Sequence, residues 1–176
     1  GKNPSVTITV TPPVTVDLLA VTAQKKTLRV GETTTVTLTA HYSDGSQEQV
    51  TPTWSSRNTA VATVTAAGTV TAVAEGQAVI WGTYEGKNPS VTITVIDVTS
   101  IDVNLANTNL PVGQSATATV TARYSDGSTA QVSASWSSSN TTVATVSQSG
   151  VITARAAGTT TITATFEGKS DTVSVS

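Results

Sequence analysis

Over much of the chain apolar and polar residues alternate one for one, the period of a strand with a single buried face. In residues 35–42 the apolar set is Val36, Leu38, Ala40 and Tyr42, and Thr35, Thr37, Thr39 and His41 face the other way. Residues 117–124 repeat the phase, with Ala118, Val120, Ala122 and Tyr124 opposed to Thr117, Thr119, Thr121 and Arg123. Val91, Ile93 and Val95 alternate with Thr92 and Thr94 in the same way. Gly31, Gly45, Gly68, Gly76 and Gly86 punctuate these runs at turn positions. No window shows the helical period. Strands recurring every 8 to 12 residues, about seven of them in about 80 residues, predict an all-β antiparallel sandwich of two sheets with an immunoglobulin-like layout.

The pattern occurs twice. A shift of about 82 residues lays HYSDGS at residues 41–46 on RYSDGS at 123–128, WSSRN at 54–58 on WSSSN at 136–140, and VATV at 61–64 on VATV at 143–146. Residues 1–10, GKNPSVTITV, are identical to residues 86–95. The organisation read from this is residues 1–13 as the last strand of a preceding repeat plus a linker, 14–95 as one full repeat and 96–176 as a second. Pro12 and Pro13 have no counterpart at the second junction, where Val95, Ile96, Asp97 and Val98 form a short connection expected to restrict the angle between repeats.

Composition narrows the chemistry. Charged residues are 11% of the chain, against about 25% in an average globular protein. The net charge of -2 gives no basic footprint for nucleic acid, and no apolar run approaches the roughly 18 residues of a membrane span. The opening residues lack the basic and apolar regions of a secretory leader. With no Cys and one His, disulfide scaffolds, thiol nucleophiles and Cys-based zinc sites are excluded. The sandwiches must close without disulfides, with Trp54 and Trp136, flanked by Tyr42 and Tyr124, expected as the core aromatics.

The residues that repeat resemble the group 2 bacterial Ig-like domain: a Tyr-x-Asp-Gly-Ser hairpin, Trp-x-Ser-Ser-x-Asn, Val-Ala-x-Val, a Gly, Val-Thr-Ala and another Gly. The first copy carries it in Tyr42, Asp44, Gly45, Trp54, Ser56, Asn58, Val61, Gly68, Thr71 and Gly76, the second in Tyr124, Asp126, Gly127, Trp136, Ser138, Asn140, Val143, Gly150, Thr153 and Gly158. The resemblance implies extracellular or cell-surface bacterial proteins, including adhesins of the intimin and invasin kind, accessory modules of secreted polysaccharide-degrading enzymes, and phage virion proteins. It implies fold-holding motif residues and no shared active site.

No catalytic or cofactor-binding residue is expected. His41 lies on the polar face and is replaced by Arg123 in the second copy. Asp44, Glu75, Glu85, Asp126, Glu167 and Asp171 read as turn formers, most of them preceding Gly. Asp97 and Asp102, beside the second junction, are weak candidates for a calcium site, which needs six to eight oxygens. The Thr-rich faces could serve as an ice-binding or glycosylated surface, but Thr also has high strand propensity and needs no other cause there. Trp81 breaks the repeat, standing outward where the second copy has Thr163, with Val79 beside it and Tyr84 near. An outward Trp marks contacts, and packing against a neighbouring repeat or Pro12 and Pro13 is the expected use. The functional expectation is a non-catalytic stalk or spacer at the bacterial surface. Its partners would be neighbouring repeats of the same or an adjacent chain, a host receptor or a polysaccharide. The alternatives are a filament or phage virion subunit that donates residues 1–10 as an intermolecular strand, and a carbohydrate-binding accessory module using Trp81, Thr83 and Tyr84.

Overall fold

The computed structural model describes residues 11–176, and the expected orphan strand at 1–10 lies outside them. The chain divides into two compact units, one ending at Val95 and the other running Ile96–Ser176. All regular elements among the described residues are strands.

The first unit contains β1 (Val16–Ala23), β2 (Thr27–Arg29), β3 (Thr33–Tyr42), β4 (Gln47–Val50), β5 (Thr53–Ser56), β6 (Ala62–Val64), β7 (Thr69–Ala72), β8 (Gly76–Thr83) and β9 (Ser90–Ile96). One sheet has the order β1-β3-β7-β6 with β4 also on β3, and the other β2-β9-β8-β5. The alternation is realised in β3, where Thr34, Val36, Leu38 and Ala40 are buried and Thr35, Thr37 and Thr39 are half-exposed. Leu28, Val36, Val70, Ile80, Ile93 and Val95 close one core cluster, and Leu19, Leu38 and Ala40 form a second. Trp54 packs against both.

The second unit contains β10 (Val98–Asn104), β11 (Ser115–Thr117), β12 (Thr119–Tyr124), β13 (Thr129–Val132), β14 (Ser135–Ser138), β15 (Ala144–Val146), β16 (Val151–Ala154), β17 (Thr160–Phe166) and β18 (Lys169–Val175). Its sheets are β10-β12-β13, β11-β16-β15 and β14-β17-β18. The long β3 is matched here by two strands that part at Ala118, although the backbone bond from Ala118 N to Gly150 O (2.9 Å) repeats the one from Val36 N to Gly68 O (2.8 Å). Pro111 stands where the first unit has Arg29, and no counterpart of β2 is assigned. The contact survives through Leu110 N to Ser176 O and Ser176 N to Thr108 O, both 2.8 Å. Each unit exceeds the expected seven or so strands because segments of three residues, such as β6 and β15, are too short to show alternation.

Trp54 and Trp136 are half-buried rather than enclosed. Each indole sits between two clusters, Trp136 touching the one around Val120 and Ala122 and the one around Ile152 and Ile162. Tyr124 is buried at 3% exposure, whereas Tyr42 is only half-buried.

Candidate functional site

The repeated motif residues have fold-holding geometry in both units. Gly68 and Gly150 lie at φ 80° and 78°, and a Cβ there would stand 2.5 Å from the carbonyl oxygen of Val36 or Ala118 and against the indole of Trp54 or Trp136. Only a residue without a side chain allows that approach. Ser56 Oγ donates to Ala62 O at 2.6 Å, and Ser138 Oγ to Ala144 O at 2.7 Å. Asn58 and Asn140 use their carbonyls to accept the N–H groups of Val61 and Val143, each at 3.1 Å.

The acids at the Tyr-Ser-Asp-Gly-Ser turns act as the spacing predicts. Asp44 Oδ1 accepts from Ser46 N at 2.9 Å and Ser46 Oγ at 2.6 Å, and Asp126 does the same with Ser128. These hydrogen bonds, the hydroxyl first, hold both carboxyls below the usual Asp range. Glu85 and Glu167 occupy the left-handed region at φ 47° and 45°, each followed by a positive-φ Gly, as a two-residue hairpin turn demands. Asp171 is not a turn residue. It lies in β18, and its Oδ2 accepts from Val103 N at 2.7 Å, pinning β10 where the first repeat has Pro89.

The calcium candidates are engaged locally. Asp97 Oδ1 accepts from Val98 N at 2.8 Å, and Asp102 Oδ2 pairs with Arg123 Nε at 2.7 Å. Among the described residues no three His, Cys, Asp or Glu side chains gather. His41 lies in β3 opposite Gln47 of β4.

Tyr84 does not join Trp81. It belongs to the opposite face, packing on the cluster of Leu19, Leu38 and Ala40. There its hydroxyl interacts with that of Tyr42, and this bond, after desolvation, raises the Tyr42 phenol above its usual range. Residue 84 shares the inward parity of Ile80 and Gly82, so the grouping of Trp81 with Tyr84 fails on strand geometry alone. Val79 does share the parity of Trp81 and is half-buried.

Trp81 is half-buried on β8, opposite Ser55 of β5. Its partner is Arg57, whose guanidinium carbon stands 5.0 Å from the ring centroid, a cation-π contact. Arg57 is fixed at its backbone by donating to Val79 O at 3.0 Å. Together with Ser55, Thr83 and Asn88 the pair lines a concavity of about 330 Å³, which does not include Pro12 or Pro13. Thr83 Oγ1 donates to Asn88 Oδ1 at 2.6 Å, leaving the Asn88 amide group as a donor. The Trp81 indole N–H is shut off from solvent without a hydrogen-bond partner, an arrangement that costs about 1–3 kcal/mol. The second repeat has Ser137, Ser139, Thr163, Thr165 and Ser170 at these positions. Sequence reading found Trp81 and missed Arg57. The signal was present, since Arg57 against Ser139 is a second break in the repeat, diagonal to the first across neighbouring strands.

Two β-sandwich units with the same backbone turns and the same buried Trp-flanking glycines define an Ig-like module used in tandem. The family model of the bacterial Ig-like domain (group 2) matches residues 15–95 and 97–176, and the chain belongs to that family. It is 37% identical over 168 residues to "Ice-binding protein 1" of Shewanella frigidimarina (strain NCIMB 400), covering 92% of this chain and 19% of that protein. Among solved structures, domains 4–9 of the surface layer protein SbsC match with a TM-score of 0.56 at 27% identity, over 91% of this chain and 30% of that one. The two-domain structure of SbsC domains 4 and 5 matches with a TM-score of 0.53 at 26% identity, over 91% of this chain and 97% of that one. The chain thus spans less than a third of its longer relatives.

Proposed function

We infer that the chain is a non-catalytic structural and adhesive segment of a bacterial cell-surface or secreted protein, with its repeats acting as spacers that display an outer face. The observation that carries this reading is the division of labour between motif and face. Gly68, Trp54, Ser56, Asn58 and Asp44 and their counterparts are all consumed in holding the sandwich. Of four concavities among the described residues, the one at Trp81 has a titratable side chain, Arg57, in its lining and the other three have none. General acid-base chemistry needs a proton donor or acceptor poised near neutral pH, which an Arg is not. Membership of the bacterial Ig-like family (group 2) and likeness to a surface-layer protein support the location.

An epitope inserted at the exposed turn between Asp44 and Ser46 of the parent protein tests the reading. Antibody labelling of intact cells, or recovery of the tagged protein from the medium, is expected. A tag detected only after lysis would contradict it.

A further inference from the structure

The concavity around Trp81 is lined by Arg57, Trp81 and Asn88, which the second repeat replaces with Ser139, Thr163 and Ser170, although the two share one backbone plan. Its polar inventory is one-sided. Arg57 brings a permanently charged fork of N–H donors, Asn88 an amide donor and Ser55 a hydroxyl, while no carboxylate is in the lining and the indole N–H of Trp81 is enclosed. The Thr83 to Asn88 bond occupies the amide oxygen, so Asn88 meets a ligand as a donor. Trp81 holds the guanidinium over its ring, which restricts a side chain that would otherwise sweep solvent. A donor-rich, positively charged hollow with an aromatic floor selects a ligand that is rich in acceptors, carries negative charge and offers an apolar face. Neutral sugars meet the first and last requirements only. Peptide anions lack the dense hydroxyl acceptors. The size, about 330 Å³, stands at the low end of small-molecule sites, which run from about 300 to 1,000 Å³.

We propose that Arg57, Trp81, Asn88 and Ser55 form a binding site on the first repeat for an anionic sugar residue of a polysaccharide. The carboxylate or sulfate pairs with the Arg57 guanidinium, and the sugar ring lies against the exposed part of the Trp81 indole. This site stands on residues of the first repeat alone and does not depend on the surface-spacer reading.

Isothermal titration calorimetry of the full chain with alginate, dextran sulfate and uncharged dextran tests it. Saturable binding to at least one of the two anionic polymers, with none to dextran, is expected. Alginate against dextran sulfate identifies the carboxylate or the sulfate as the group held. R57Q should weaken binding at least tenfold, and W81T, which installs the residue of the second repeat, should remove it, with both variants melting as the parent does. If R57Q alone loses its fold, W81T and N88S decide, N88S with a severalfold loss. No binding to either anionic polymer, equal binding to dextran, or binding unchanged in the folded variants would overturn the proposal.

Discussion

The two repeats are one sandwich written twice, and three of their differences obey different physics. In the core an added hydroxyl is compensated. Ala78, buried at 1% in the first repeat, is Thr160 in the second, buried at 3%. Thr160 Oγ1 is satisfied there by Asn140 N at 2.9 Å and by the hydroxyls of Ser138 and Ser139, each at 3.1 Å. The Tyr42–Tyr84 pair becomes Tyr124 with Phe166. At the edge, Pro89 is exchanged for Asp171, which pins β10. On the outer face Arg57 and Trp81 replace Ser139 and Thr163, and the fold supplies no partner for the indole N–H. The hydroxyl that Thr160 brings into the core is settled by hydrogen bonds, whereas the outer exchange encloses an indole N–H without one.

The largest effects should strike both repeats alike. Trp54→Ala and Trp136→Ala each remove the side chain that joins two core clusters. Because the indoles are half-buried, each should cost about 3 kcal/mol, the low end for such truncations, read by chemical denaturation. A clear difference between the two variants would break the equivalence of the frames.

Thr160→Ala separates the repeats. It leaves Asn140 N–H without its acceptor and should cost about 1–2 kcal/mol. The reverse change, Ala78→Thr, places a hydroxyl in a site that has Arg57 in place of Ser139 and should destabilise by about 1–3 kcal/mol through overpacking. Neutral results in both directions would show that the exchange is not compensated by these bonds.

A gain is expected at the hairpins. Glu85→Asn and Glu167→Asn put a residue that tolerates positive φ at 47° and 45° and should stabilise by about 0.5–1 kcal/mol each. Thermal melts of the two variants check this.

The smallest effect is pH-dependent and shared. The Asp44 and Asp126 carboxyls bind protons less tightly folded than unfolded. Their contribution is therefore complete above the ordinary Asp range and is lost as pH falls through and below about 4. Melting temperature should decline modestly from pH 5 to pH 2, and Ser46→Ala should reduce the decline by removing the leading hydroxyl bond of Asp44. An unaltered slope would detach Asp44 from the effect.

Much of this was legible in the sequence because period two and glycine punctuation are local signals. The inward set of β3 and the turns at Gly45 and Gly127 follow from them directly. What escaped depends on contacts between strands. The pairing of Arg57 with Trp81 needs the register that sets Ser55 opposite Trp81. The work of Asp171 needs β10 beside β18, and the half-exposure of Trp54 needs the position of two clusters. Tyr84 was the avoidable miss, since parity alone turns it inward.

The central claim is that the outer face of the first repeat diverged without any service to the fold. Scanning calorimetry of the triple variant R57S/W81T/N88S, which gives that face the residues of the second repeat, tests it most directly. A melting temperature within about 4 °C of the parent is expected, less than about 1 kcal/mol for a domain of this size. A fall of more than about 8 °C would make these residues structural and contradict it.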